Sequence, residues 1–145
     1  MPESGNWHGR TFTCWIAALS AASRIPRAVE KSGGSYFKLE RKVGDYATVA
    51  VAAQLVLNGD GKIASAGIGL TNVGLTPIKA TAAEEALTGK VLDDASIKEA
   101  ARLASEVAEP IEDQRGSEEY KRHLVRTFTS RALRKAQERA EGGGV

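Results

Sequence analysis

The chain has 145 residues, of which 42% are hydrophobic and 26% charged, and its formal net charge is +2. That length sustains one hydrophobic core and one domain, while so even a charge balance gives no overall field of the kind nucleic-acid binding exploits. A single cysteine, Cys14, and two distant histidines, His8 and His123, exclude a disulfide framework and argue against a metal cluster, and no apolar run reaches the ~18 residues of a membrane span.

Residues 1–22, MPESGNWHGRTFTCWIAALSAA, differ in character from the rest and hold both tryptophans and the cysteine. Three readings stand for them. One is a secretory signal, with Arg10 before the apolar FTCWIAALSAA, although Glu3 fits it poorly. Another is an ordinary helix docking on the domain, and the third is a segment foreign to the fold, left by a non-native start. Regular signals begin near Arg24. SGGSYFKLERK reads as a glycine-loosened loop leading into a short strand, on which Tyr36 and Lys38 share a face. Asp45 is placed to cap a short helical turn. TVAVAAQLVL mixes alanine with β-branched valine, and its second half reads as strand. Asn58-Gly59-Asp60-Gly61 marks a tight turn, and KIASAGIGLTNV after it completes a hairpin. Gly67 and Gly69 suggest a bulge or a close approach by another backbone. LTPIKA reads as an edge strand, because Pro77 cannot donate to a ladder.

Helices follow. Thr81 with Glu84 has capping-box spacing, and Gly89 is a stop for that helix. Ser96 with Glu99 forms a second such pair, opening a helix with Ile97, Ala101, Ala104 and Ala108 on one stripe and Pro110 beyond its end. RGSEEYKRHLVRTFTSRALRKAQERA is the longest helix. Tyr120, Leu124, Phe128 and Ala132 recur every four residues, with Val125 and Ala136 beside them, as a buried face requires. Residues 142–145 read as a flexible tail. Strands first and helices after predict an α+β fold, a two-layer sandwich of a three- to four-stranded antiparallel sheet and three helices.

Catalytic constellations are absent: the sequence has no G-x-S-x-G, no H-E-x-x-H and no Walker loop. GIGLTNVG lacks the spacing of a phosphate loop, since its glycines stand at 67, 69 and 74. The pairs Glu84-Glu85 and Asp93-Asp94 sit near helix starts, where carboxylates answer the helix dipole. Between Arg115 and Glu141 there are eight Lys/Arg against four Glu. That surplus reads as a solvated face or a protein-docking face. Nucleic acid is disfavoured, because no aromatic residues interleave with the bases.

Three motifs resemble one family in order along the chain. Tyr36–Asp45 reads Y-x-K-L-x-R-K-V-G-D, running into ATVAVAAQL. GIGLTNVGLTPIKATAAEEALTGK, at Gly67–Lys90, holds the pattern G-x-T-P-x-x-A-x-x-A-E. DQRGSEEYKRHLVRTFTSRAL, at Asp113–Leu133, is similar to an R-G-S-x-x-Y-R-x-x-L ending. Together they resemble the C-terminal domain of the FAD-binding medium subunit of molybdenum hydroxylases, of carbon monoxide dehydrogenase type within the xanthine dehydrogenase superfamily. The resemblance spans about Ile25 to Arg139.

The resemblance implies the same α+β sandwich, with an atypical segment at 1–22, the domain at 23–141 and the tail at 142–145. It implies an accessory role: FAD lies mainly on a larger N-terminal domain, electrons arrive from an iron–sulfur subunit, and a molybdenum-cofactor subunit performs the hydroxylation. These three are the expected partners, in the cytoplasm, with neither nucleic acid nor a membrane span. The glycine-rich FAD-binding half is missing here. The expectation is therefore a fragment that is inactive alone and binds no FAD by itself, and the non-native reading of residues 1–22 leads. The expected cofactor-binding residues are Tyr36, against the isoalloxazine ring, and Lys38, near its electron-rich edge, where positive charge favours the reduced anion. A slip of one residue would give Phe37 instead. The competing readings are packing for Tyr36 and a solvated edge charge for Lys38. No catalytic or metal-binding residue is expected. The alternative function is a stand-alone interaction module docking a partner through the basic last helix.

Overall fold

A computed structural model describes the backbone of residues 12–16 and 19–23, and residues 29–142 in full. Strands β1 (Phe12–Ile16) and β2 (Leu19–Ser23) pair with each other in antiparallel fashion. This is not the helix that one reading of residues 1–22 expected. The other expectations for that segment, and most of the expected tail, lie outside the described residues.

The main sheet has the order β3-β4-β5-β6, all antiparallel. Its strands are β3 (Ser32–Leu39), β4 (Val49–Leu57), β5 (Ile63–Thr71) and β6 (Ile78–Lys79). Three helices cover one face: α1 (Thr81–Leu87), α2 (Asp94–Glu106) and α3 (Glu118–Ala140). The expected sandwich is therefore the observed one. Alternation sorts the middle of β4, although Ala50 at its start is buried as well. Val49, Val51, Ala53, Leu55 and Leu57 are buried beneath the helices, while Ala52 and Gln54 are exposed on the opposite face. The β4–β5 hairpin forms where expected. Asn58 holds its turn by accepting from the amides of Asp60 (3.0 Å) and Lys62 (2.8 Å). Gly61 adopts φ +75°, whereas Gly59 needs no positive φ.

Residues Gly33, Ser35 and Phe37 of β3 face α3. A Cβ at Gly33 would lie 2.0 Å from the Ala136 carbonyl oxygen, so glycine is what lets helix and strand backbones touch. Ser35 Oγ donates to the Ala132 carbonyl at 2.7 Å. The Phe37 ring meets Phe128 with centroids 6.3 Å apart. The glycines belong to β3 itself, which starts at Ser32, and not to a preceding loop.

Several local expectations give way. Residues 40–48 make turns and bends, and Asp45 caps no helical turn. The β4–β5 register shift falls between Val56 and Leu57, not at Gly67 or Gly69. Thr81 caps nothing: Ala80 is the N-cap of α1, without a side-chain cap. Glu84 is buried, and its Oε1 accepts from the Ile68 amide at 2.8 Å. The reason is topological. β6 spans two residues, and beyond it the chain turns into α1, so the carboxylate stands where a strand carbonyl would have been. The capping box of α2 lies three residues before the expected one. Asp93 accepts from the Ser96 amide at 2.7 Å, and Ser96 Oγ accepts from the Asp93 amide at 3.0 Å. Glu99 instead pairs with Arg102. Ile97, Ala101 and Ala104 of α2 are buried as expected, while Ala108 is buried beyond the end of the helix. On α3, Leu124, Val125, Phe128, Ala132 and Ala136 are buried, but Tyr120 is exposed and Lys121 takes the inward place.

Candidate functional site

The helices close one face of the sheet and leave the other open. Register places Tyr36, Ala52, Gly69 and Lys79 in one row across the four strands, and Gly34, Gln54 and Gly67 in the next. With strands ~4.8 Å apart, Tyr36 and Gly69 stand roughly 10 Å from each other. The result is a shallow concavity of about 630 Å³ whose floor is Ala52, Gly67 and Gly69. Its rim is Tyr36 on one side, with Lys79 and Glu84 on the other. A Cβ at Gly69 would meet nothing within 4 Å, so no side chain of the described residues stands over that point of the floor. Lys79 Nζ lies 3.3 Å from Glu84 Oε2, so the far rim is an ion pair.

Tyr36 is 59% exposed and projects from the open face. The one-residue slip to Phe37 would point into the core, because that ring packs on Phe128. Lys38 shares the Tyr36 face, and its Nζ lies 2.5 Å from Glu40 Oε2 without the alignment of a hydrogen bond. Its charge is thus partnered within the domain. The structure brings Tyr36 and Lys38 to one face, and only Tyr36 lines the concavity.

Sequence reasoning passed over Tyr46, which is 79% exposed on the β3–β4 loop. The Arg115 guanidinium carbon sits 5.9 Å from its ring centroid, within cation–π range. Arg115 Nη2 also lies 3.3 Å from Asp45 Oδ1. An aromatic residue next to a charged seam was the only available signal, since its partner is distant in sequence.

The basic last helix is largely occupied within the domain. Lys121 Nζ donates to the Ile111 carbonyl (2.6 Å) and pairs with Asp113 Oδ1 (2.8 Å). That bond, with the Arg115 amide, holds the Asp113 carboxyl below its ordinary value. Arg122 Nη1 donates to the Ser105 carbonyl (3.0 Å), one of the last carbonyls of α2, and Arg126 Nε to Ser105 Oγ (2.8 Å). Arg134 pairs with Asp94, Lys135 with Glu138, and Arg139 Nη1 donates to the Gly34 carbonyl. Among the described residues there is no group of three or more His, Cys, Asp or Glu that could hold a metal ion. No helix among them is long and apolar enough to cross a membrane.

Comparison with known proteins gives the same picture. Residues 34–136 match the CO dehydrogenase flavoprotein C-terminal domain. The carbon monoxide dehydrogenase medium chain of Afipia carboxidovorans is 42% identical over 123 residues, which are 85% of this chain and 42% of that protein. Among solved structures, carbon monoxide dehydrogenase from Hydrogenophaga pseudoflava, in a form lacking the Mo-pyranopterin moiety of its molybdenum cofactor, superposes with a TM-score of 0.79 at 36% identity, over 83% of this chain and 42% of that one. Quinoline 2-oxidoreductase from Pseudomonas putida 86 superposes with a TM-score of 0.72 at 30% identity, over 87% of this chain and 45% of that one. The chain thus spans less than half the length of these relatives. It belongs to the CO dehydrogenase flavoprotein C-terminal domain family.

Proposed function

We propose that this chain serves as the C-terminal accessory domain of the FAD subunit of a molybdenum hydroxylase of the carbon monoxide dehydrogenase type. The observation that carries the reading is the uncovered sheet face, paved with Ala52, Gly67 and Gly69 and edged by Tyr36. A glycine in a strand loses packing and adds chain entropy, so this paving is explained by something laid flat upon it. In the intact subunit that surface meets the FAD-carrying portion, with Tyr36 as its exposed aromatic contact.

A flat, largely apolar floor suits an isoalloxazine ring or the protein around it, but only as one wall. Small-molecule sites enclose most of their ligand's surface, and this concavity is broadly open. The chain alone accordingly retains no FAD and has no oxidoreductase activity. When bound in the whole subunit, FAD supplies acceptance and onward transfer of electrons. The residues here pack, orient and exclude water. Lys38, held by Glu40, contributes a paired charge at the same face. The remaining partners are the iron–sulfur and molybdenum-cofactor subunits of one cytoplasmic complex. Docking of an unrelated partner through the basic helix is the weaker reading, because Lys121, Arg122, Arg126, Arg134, Lys135 and Arg139 already have partners within the domain.

The test is flavin spectroscopy on a mixture. The purified chain is added to the FAD-carrying portion of the Afipia carboxidovorans medium chain, and flavin absorbance and fluorescence are followed. Saturable change, weakened by Tyr36→Ala, supports the proposal. No interaction, or tight stoichiometric FAD binding by the chain alone, overturns it.

A further inference from the structure

Glu84 carries a carboxylate almost out of solvent: its side chain is 10% exposed, against 72% for Lys79. It serves the sheet first. The Ala80 amide donates to the Ile68 carbonyl at 2.9 Å, as the next bond of the β5–β6 ladder. The Ile68 amide would then need the Ala80 carbonyl in return, but that carbonyl accepts from the amides of Ala83 and Glu84 at the start of α1. Glu84 Oε1 takes its place at 2.8 Å. A glutamine would close the ladder equally well, because its amide oxygen accepts as a carboxylate does. Burying a carboxylate costs desolvation that an amide escapes, so the charge calls for a second explanation. Glu84 Oε2 gives one, since Lys79 Nζ lies 3.3 Å from it.

Lys79 ends the row that Tyr36 begins on the open face, and three strand spacings put roughly 14 Å between their positions. Ile68, whose amide Glu84 holds, lies between the floor glycines Gly67 and Gly69. One carboxylate thus fixes the floor strand with one oxygen and the rim cation with the other. The floor itself is clear. A Cβ at Gly67 would meet only the Gln54 Cβ at 3.8 Å, and one at Gly69 would meet nothing within 4 Å. The other cations of this face are turned elsewhere: Arg139 Nη1 donates to the Gly34 carbonyl, and Lys38 lies against Glu40 and outside the concavity. Lys79 is the cation whose head is both tethered and open to whatever lies on the floor.

We propose that Lys79 meets the electron-rich edge of a flavin ring laid on this floor, and that Glu84 is the positioning residue that holds Lys79 there. This rests on the accessory-domain reading given above. The part that the sequence suggested for Lys38 passes to Lys79. A positive charge at that edge favours the reduced, anionic ring, and a tethered one does so without first ordering a long side chain. Glu84 acts only through Lys79.

The test uses the full Afipia carboxidovorans medium chain with residues 29–142 of this protein in place of its matching C-terminal region. It is made unaltered and with Lys79→Met, Lys79→Arg, Glu84→Gln and the Lys79→Met/Glu84→Gln pair, and the flavin midpoint potential is read. Lys79→Met should shift the balance about tenfold away from the reduced ring, a fall of about 30 mV for two electrons, and Lys79→Arg should restore most of it. Lys98→Met removes the same charge from α2, on the helix side of the sheet, and should leave the potential in place. In the Glu84→Gln background the shift caused by Lys79→Met should shrink by about half or more. In the full-length chain itself, hydrogen exchange at the Ile68 amide should be unchanged by Glu84→Gln. A potential that Lys79→Met does not move, or an equal fall in Lys98→Met, overturns the proposal. A Lys79→Met shift of one size with and without Glu84→Gln overturns the role of Glu84, and so does faster Ile68 exchange, which would give the charge to the ladder alone. An unaltered chimera without flavin ends the accessory-domain reading and this proposal with it, whereas flavin held at a potential indifferent to Lys79 ends this proposal alone.

Discussion

Replacing Gly33 with alanine should be among the most damaging single-methyl changes available in this protein. The added Cβ would lie 2.0 Å from the Ala136 carbonyl oxygen, 2.5 Å from the Ala140 amide nitrogen and 3.0 Å from the Arg139 carbonyl carbon. All three are backbone atoms of α3, so no side-chain rotation relieves the overlap. Ordinary carbon–oxygen contact needs roughly 3.3 Å, which leaves more than about 1 Å to be absorbed by moving the helix off β3. That movement would stretch the bond from Ser35 to Ala132 and open the contact between Phe37 and Phe128. Overpacking of this kind typically costs ~1–3 kcal/mol. Losing one buried hydrogen bond adds ~1 kcal/mol, so a total of about 2–4 kcal/mol is expected. For a domain of this size, 1 kcal/mol shifts Tm by roughly 3–5 °C, and the expected fall is on the order of 10 °C. Gly59→Ala is the control, because a Cβ there meets nothing within 4 Å and the residue needs no positive φ. The assay is paired thermal and urea unfolding. If Gly33→Ala melts within a degree of the unaltered chain, α3 does not rest on β3 as described.

Phe128→Ala should cost ~3–5 kcal/mol as a core aromatic truncation, whereas Arg126→Ala should cost only ~1 kcal/mol for its bond to Ser105; urea unfolding of the pair would reverse the assignment of inner and outer faces on α3 if the arginine variant proved the worse. Gly61→Val should destabilise by roughly 1–3 kcal/mol, because the valine would be forced to positive φ, while Gly59→Val should be close to neutral; equal melting of the two would mean that the turn is misplaced. The Asp113 carboxyl is held below its ordinary value by its bond from Lys121. A depressed folded-state value gives stability that is present above the unfolded value and lost as pH falls through the folded one. Asp113→Asn should therefore flatten the acid side of the stability curve below about pH 4, and a Tm-against-pH profile identical to that of the unaltered chain would dismiss the bridge.

What the sequence disclosed and what it hid divide by range. The β4–β5 hairpin was legible because Asn58 and Gly61 act within their own turn, and the apolar stripe of α2 because its period lies in one stretch. Tyr120 was misplaced for a physical reason. An aromatic ring at the right spacing looks like core, but Lys121 occupies the inward position by burying its stem and carrying its ammonium to Ile111 and Asp113. Glu84 looked like part of a cap because glutamate at the third helical position commonly is one. Its real partner, the Ile68 amide, exists only once β6 has ended. The Tyr36 face followed from strand alternation alone. Tyr46 did not, because what distinguishes it is Arg115, which the fold brings across from the α2–α3 connection.

The central claim is that this domain completes an FAD subunit, and a chimera tests it most directly. Residues 29–142 would replace the matching C-terminal region of the Afipia carboxidovorans carbon monoxide dehydrogenase medium chain, to which this chain is 42% identical. The measurement is the FAD-to-protein ratio of the purified chimera, beside a version cut before the graft. The account predicts near-stoichiometric flavin in the chimera, a lower ratio in the truncated form, and intermediate retention when the graft carries Tyr36→Ala. A chimera that folds cooperatively yet holds no more flavin than the truncated form would contradict it.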